Sequence, residues 1–93
     1  MISFEQVLQK CGFRLADHQG FDSYWNHADG HAVAGISEGA DRVKYLSVTL
    51  DCGVQSNKHD VQVIGMWDNP IKAALELPPK LKAAYNALLQ PPR

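Results

Sequence analysis

Gly20 to Ile36 reads GFDSYWNHADGHAVAGI, and the fold depends on how this stretch closes. Two strand-like runs flank His27-Ala28-Asp29-Gly30-His31. A three-residue loop, Ala28-Asp29-Gly30, puts a type I turn on Ala28 and Asp29. Gly30 then takes the left-handed conformation that a Cβ resists. His27 and His31 oppose each other, and alternation sorts the side chains. Ser23, Trp25, His27, His31, Val33 and Gly35 share one face; Asp22, Tyr24, Asn26, Ala32, Ala34 and Ile36 share the other. On this reading the small Ala32 and Ala34 admit a helix over the second face. Trp25 and Val33 then wait for a later segment, a second subunit or a ligand. A two-residue loop, Asp29-Gly30, would instead pair Ala28 with His31 and exchange the faces, since a one-residue slip moves every side chain. The three-residue closure is the expected one.

Upstream, Ser3-Phe4-Glu5-Gln6 is a capping box. Phe4, Val7, Leu8 and Cys11 follow at helical spacing and Gly12 stops the helix, so a short helix spans about Ser3 to Cys11. Phe13 to Ala16 alternates as a first strand, and Asp17 to Gly20 is a turn. Downstream, Arg42 to Leu50 (RVKYLSVTL) is a strand rich in β-branched and aromatic residues. Leu46, Val48 and Leu50 face one side of it, Val43 and Tyr45 the other. Asp51 to Asp60 is polar and reads as a long loop. Val61 to Trp67 is a last strand, interrupted by Gly65. Pro70 opens a helix over Ile71 to Leu77, and Pro78-Pro79 ends it and opens another. Leu81, Ala84, Tyr85, Leu88 and Leu89 form the apolar stripe of that last helix, and Pro91-Pro92-Arg93 is a tail. The predicted class is α+β: a mainly antiparallel sheet of about five strands, with one N-terminal and two C-terminal helices mostly on one face.

Ninety-three residues make a single domain, 1–93, within the usual range of about 50 to 250 residues. A chain this short buries about 60–65% of its unfolded surface, so dimerisation is a natural supplement. Nine basic and ten acidic residues leave a net charge of −1, which argues against broad attraction to nucleic acid. No apolar run approaches the roughly 20 residues of a membrane span, and the N-terminus lacks signal-peptide character. Cys11 and Cys52 show no CxxC spacing; reduced thiols in a cytoplasm are expected.

The candidate sites are diffuse. His18, Asp22 and Tyr24 would form an acid–base cluster if the first turn folds over the hairpin. His27 and His31, with Asp29 or His18, would offer imidazoles to a metal, but they lack the fixed spacing of a zinc motif, and neither metal nor cofactor is expected. Trp25, Tyr45 and Trp67 would line a pocket or stacking surface, or fill the core. Lys72, Lys80, Lys82 and Arg93 make the C-terminal segment locally basic, as the solvated faces of amphipathic helices do.

The helix ending in Lys10-Cys11-Gly12-Phe13, the short strand, Gly20 and the His27-Ala28-Asp29-Gly30 turn together resemble the HicA-type toxins, over about residues 4 to 36. In that family a glycine opens the second strand and a His-Pro-Asp-Gly turn follows at the same spacing. The resemblance implies a double-stranded-RNA-binding-like α-β-β-β-α arrangement and ribonuclease activity. The family's catalytic histidine falls on Asp22 here, and the strand Arg42 to Leu50 stands where the closing helix would start.

These residues lead to an expectation of a small cytoplasmic binding or interaction module of bacterial type. It would be a homodimer meeting a partner or small ligand through Trp25, His27, His31, Val33, Tyr45 and Trp67. A HicA-like RNA-binding protein or ribonuclease is one alternative. A small enzyme using His18, Asp22 and Tyr24 is the other.

Overall fold

A computed structural model describes residues 2–20, 22–55 and 58–89, with side chains throughout except at 51–62 and 88–89. The elements run α1 (Phe4–Lys10), β1 (Phe13–Gln19), β2 (Asp22–His27), β3 (Ala32–Glu38), β4 (Lys44–Gln55), β5 (Lys58–Trp67) and α2 (Pro70–Leu89). The five strands form one antiparallel sheet in the order β1-β2-β3-β4-β5. The α+β class is as expected, with one C-terminal helix where two were predicted. No helix among the described residues is long and apolar enough to cross a membrane.

Helix α1 begins as its capping box dictates. The Ser3 amide donates to Gln6 Oε1 at 2.9 Å, and the Gln6 amide donates to Ser3 Oγ at 3.2 Å. Phe4, Val7 and Leu8 are buried. Gly12 follows with φ +91°, a left-handed value that suits a residue without Cβ.

Both helices cover the same face of the sheet. Phe4, Val7 and Leu8 of α1 and Ala73, Leu77, Leu81 and Ala84 of α2 form one core with Phe13, Trp25, Ala32, Ala34, Ile36, Leu46, Val48, Leu50 and Trp67. The alternation read in β4 is correct: Leu46, Val48 and Leu50 are buried there.

Four expectations change. Trp25 pairs with Ala34 and Asn26 with Val33, so Trp25 lies on the helix-covered face and Val33 on the reverse. This is the register of the two-residue closure, not the three-residue one. The β2–β3 ladder stops short of the tip, and a turn closes with the Gly30 amide donating to the His27 carbonyl at 2.9 Å. Next, β1 continues to Gln19, past the expected turn, with a shift in register between Leu15 and Asp17 that leaves Ala16 unpaired.

The expected loop over Asp51 to Asp60 is largely the two arms of the β4–β5 hairpin, with Val54 opposite His59 and Gln55 opposite Lys58. Residues 56–57 and 90–93 lie outside the described residues. Finally, α2 continues past Pro78 and Pro79 as one helix. Each proline forfeits one backbone hydrogen bond. Burial of Ala73 and Leu77 before them, and of Leu81 and Ala84 after them, holds both halves against one core as a single helix.

Candidate functional site

The histidine that ends β2 is a strut. His27 Nε2 lies 2.9 Å from the carbonyl oxygen of Cys11, at the C-cap of α1. Its Nδ1 lies 3.2 Å from the Asp29 amide and 3.1 Å from Tyr85 Oη. A carbonyl only accepts and an amide only donates, so Nε2 carries the hydrogen and Nδ1 receives. The tyrosine hydroxyl then donates to Nδ1. The ring also meets Phe13 edge-on, with centroids 5.0 Å apart. A Cβ on Gly12 would come within 3.2 Å of His27 Nε2, so that glycine serves the approach as well as the turn. His27 thereby fastens the hairpin tip to the end of α1 and to α2.

These bonds occupy both ring nitrogens, so His27 has none to spare for a metal. His31 is exposed in the turn, and its ring faces Tyr85 at 6.2 Å. Among the described residues no three His, Cys, Asp or Glu side chains gather as a metal site. Tyr85 escaped the sequence reading as a partner because it lies 58 positions from His27, and no local spacing announces such a contact. Burial, and then the nearby Asp29 carboxylate, push the Tyr85 hydroxyl above its ordinary pKa, against the backbone amides of Ala32 and His31.

Trp25 is 4% exposed, a correction to its expected place on an uncovered face. Its Nε1 donates to Ser23 Oγ at 2.9 Å, satisfying both buried groups. Beside it lies a cleft of about 430 Å³, lined by Leu15, Ser23, Trp25 and Ile36 together with Glu5, Gln9, His18, Gly20 and Lys44. His18 reaches this cleft because of the bulge. Past Ala16 it pairs with Ser23 and so shares that residue's face, whereas Asp22 and Tyr24 belong to the other. The sheet therefore separates His18 from Asp22 and Tyr24, and the predicted acid–base cluster does not assemble.

Trp67 is also core, 6% exposed. Its Nε1 donates to Glu76 Oε1 at 3.0 Å, and Lys80 Nζ lies 5.6 Å from the ring centroid. Gly65 is what lets the indole lie down: a Cβ there would fall 2.5 Å from the ring.

Among the described residues, nothing covers the face turned away from both helices. Register places Asn26, Val33 and Thr49 in one row across it, Tyr24, Gly35, Ser47 and Met66 in the next, and Ser37 and Tyr45 in a third. In the second of these rows the small Gly35 and Ser47 sit at the middle, with Tyr24 on one flank and Met66 on the other. Tyr24 is 45%, Val33 38% and Met66 69% exposed. Of the predicted interface residues, Val33 and Tyr45 belong here. Tyr45 Oη donates to Asp41 Oδ2 at 3.0 Å. That bond, followed by the charge of Asp41, raises the phenol's pKa. Alternation does not single out Met66, because VQVIGMW carries apolar residues on both faces. Comparison with protein-family models, curated proteins and solved structures finds no match.

Proposed function

We propose that this chain is a small interaction module that works as a homodimer, joined through the uncovered face of its sheet. The carrying observation is the asymmetry of cover. Both helices pack on one face, while the other presents Tyr24, Val33 and Met66 around a floor of Gly35 and Ser47. Antiparallel sheets tolerate one solvated face when its residues are polar. A face bearing three large exposed apolar side chains favours a partner instead. Two such faces pack about 10 Å apart in sheet-on-sheet contact, and the low centre at Gly35 and Ser47 leaves room for a large side chain of the partner copy. The free thiol of Cys11 and the absence of a spanning helix among the described residues fit a cytoplasmic setting.

Light scattering on the full chain tests this. A dimer is expected, and Val33→Asp with Met66→Asp should yield a folded monomer. A wild-type chain that stays monomeric at high concentration overturns the proposal.

The RNA-directed alternative draws on the α-β-β-β opening of the chain. A shift of double-stranded RNA at low salt would favour it, and retention of that shift at high salt would argue for more than phosphate attraction.

A further inference from the structure

Between α1 and α2 runs a groove of about 370 Å³ whose walls include Val7, Ala74, Pro78 and Leu81. It exists because Ala74 and Pro78 are short where the helices face each other. Its other lining residues are Ile2, Cys11 and Tyr85, together with Lys10 and Lys82. Among the described residues, no acidic one lines it. Among the described residues, neither Lys10 nor Lys82 has a carboxylate within ion-pair distance. The two other ionisable groups are neutral at physiological pH, since burial raises the Cys11 thiol and the Tyr85 hydroxyl. The groove therefore offers an apolar trench with two ammonium groups and no negative charge. Beyond it on α2, Ile71 and Leu75 are 62% and 73% exposed, prolonging apolar surface past the trench.

We propose that this groove binds a single-chain aliphatic carboxylate, its hydrocarbon between the helices and its head between Lys10 and Lys82. Ligand sites are mostly apolar concavities of about 300–1,000 Å³ with a few placed polar groups, and this one meets that description. The charge selects the head: an ammonium pair attracts a carboxylate, is indifferent to an alcohol and repels a cation. The site is separate from the uncovered sheet face and does not depend on dimerisation.

Calorimetric titration of the full chain with decanoate, decanol and decyltrimethylammonium, each below its micelle concentration, tests the assignment. Decanoate should bind one per chain. Decanol should bind about tenfold more weakly, the scale of two partly exposed charged contacts, and the cation should not bind. Lys10→Gln with Lys82→Gln should reduce decanoate to the level of decanol while leaving decanol unchanged. Ala74→Phe, which fills the trench, should abolish both. Should Ala74→Phe fail to fold, the lysine pair still decides, because those substitutions lie on the surface. Equal binding of acid and alcohol, decanoate binding untouched by the lysine substitutions, or no binding at all overturns the proposal.

Discussion

His27 Nε2 and the carbonyl oxygen of Cys11 lie 2.9 Å apart, and this bond joins the last residue of β2 to the C-cap of α1. His27→Ala strands that carbonyl and leaves the Asp29 amide and the Tyr85 hydroxyl without their acceptor. Unsatisfied groups of this kind cost about 1–3 kcal/mol each when buried. Since the site is only partly buried, the expected total is about 2–4 kcal/mol. Urea unfolding reads it as a lower midpoint at unchanged slope. A loss under about 0.5 kcal/mol, the size of an ordinary surface change, would mean that the strut carries no load.

Gly65→Ala tests the other close approach. The added methyl would sit 2.5 Å from the Trp67 ring, and that ring is held by Glu76. A rigid indole cannot yield as a flexible side chain would, so overpacking of about 1–3 kcal/mol is expected. This outweighs the few tenths to 1 kcal/mol that alanine usually gains over glycine. A thermal midpoint equal to or above wild type would contradict the contact.

Asp41 provides the pH dependence. The amide of Val43 and then the hydroxyl of Tyr45 hold its carboxyl below the ordinary range, against a smaller opposing effect of desolvation. A depressed folded-state pKa means that the unfolded chain takes up the proton first. The stabilisation is therefore present above the unfolded carboxyl's pKa and disappears as pH falls through the folded value. Carbon-13 NMR titration should show the Asp41 carboxyl titrating below its own midpoint in the urea-unfolded chain. Tyr45→Phe should raise its midpoint only part of the way, because the Val43 amide is the larger cause. An unchanged midpoint in Tyr45→Phe would remove the hydroxyl from the account.

Deleting Ala16 tests the bulge. Leu15 pairs with Trp25 and Asp17 with Tyr24, so removal leaves a regular ladder with every partner kept. The expected cost is below about 1 kcal/mol, as for surface changes that spare buried contacts. Deleting Asn26 should be far worse, because it turns one arm of the hairpin over and takes Trp25 out of the core. Amide NMR spectra separate the outcomes: the first deletion should preserve the wild-type pattern and the second should lose it. Equal damage from both would refute the register.

Legibility in the sequence follows from what is local. The capping box at Ser3 and Gln6 states its own hydrogen bonds, and Leu46, Val48 and Leu50 announce a buried face by alternation alone. The positions of Trp25 and His18 could not be read this way. Each depends on parity, and parity depends on one residue: the closure of the Ala28–His31 turn for Trp25, the unpaired Ala16 for His18. Both turn closures use the same glycine and aspartate chemistry, so composition does not choose between them. Burial of the indole in the core on the helix-covered face does. The prolines of α2 show the same override. Pro78-Pro79 is a break by local rules, and the docked stripe on either side keeps the helix whole. Gly65 looked like a weakness in its strand and is the clearance for Trp67.

The strict β1-β2-β3-β4-β5 order also has a kinetic meaning. Every strand pairing closes a short stretch of chain, so assembly proceeds like a zip from whichever turn forms first, with little entropy spent on distant searches. Among the described residues, α2 makes the long closures, meeting α1 and reaching His27 through Tyr85. These clasps should form late, making the two helices the first part to loosen when the molecule is stressed.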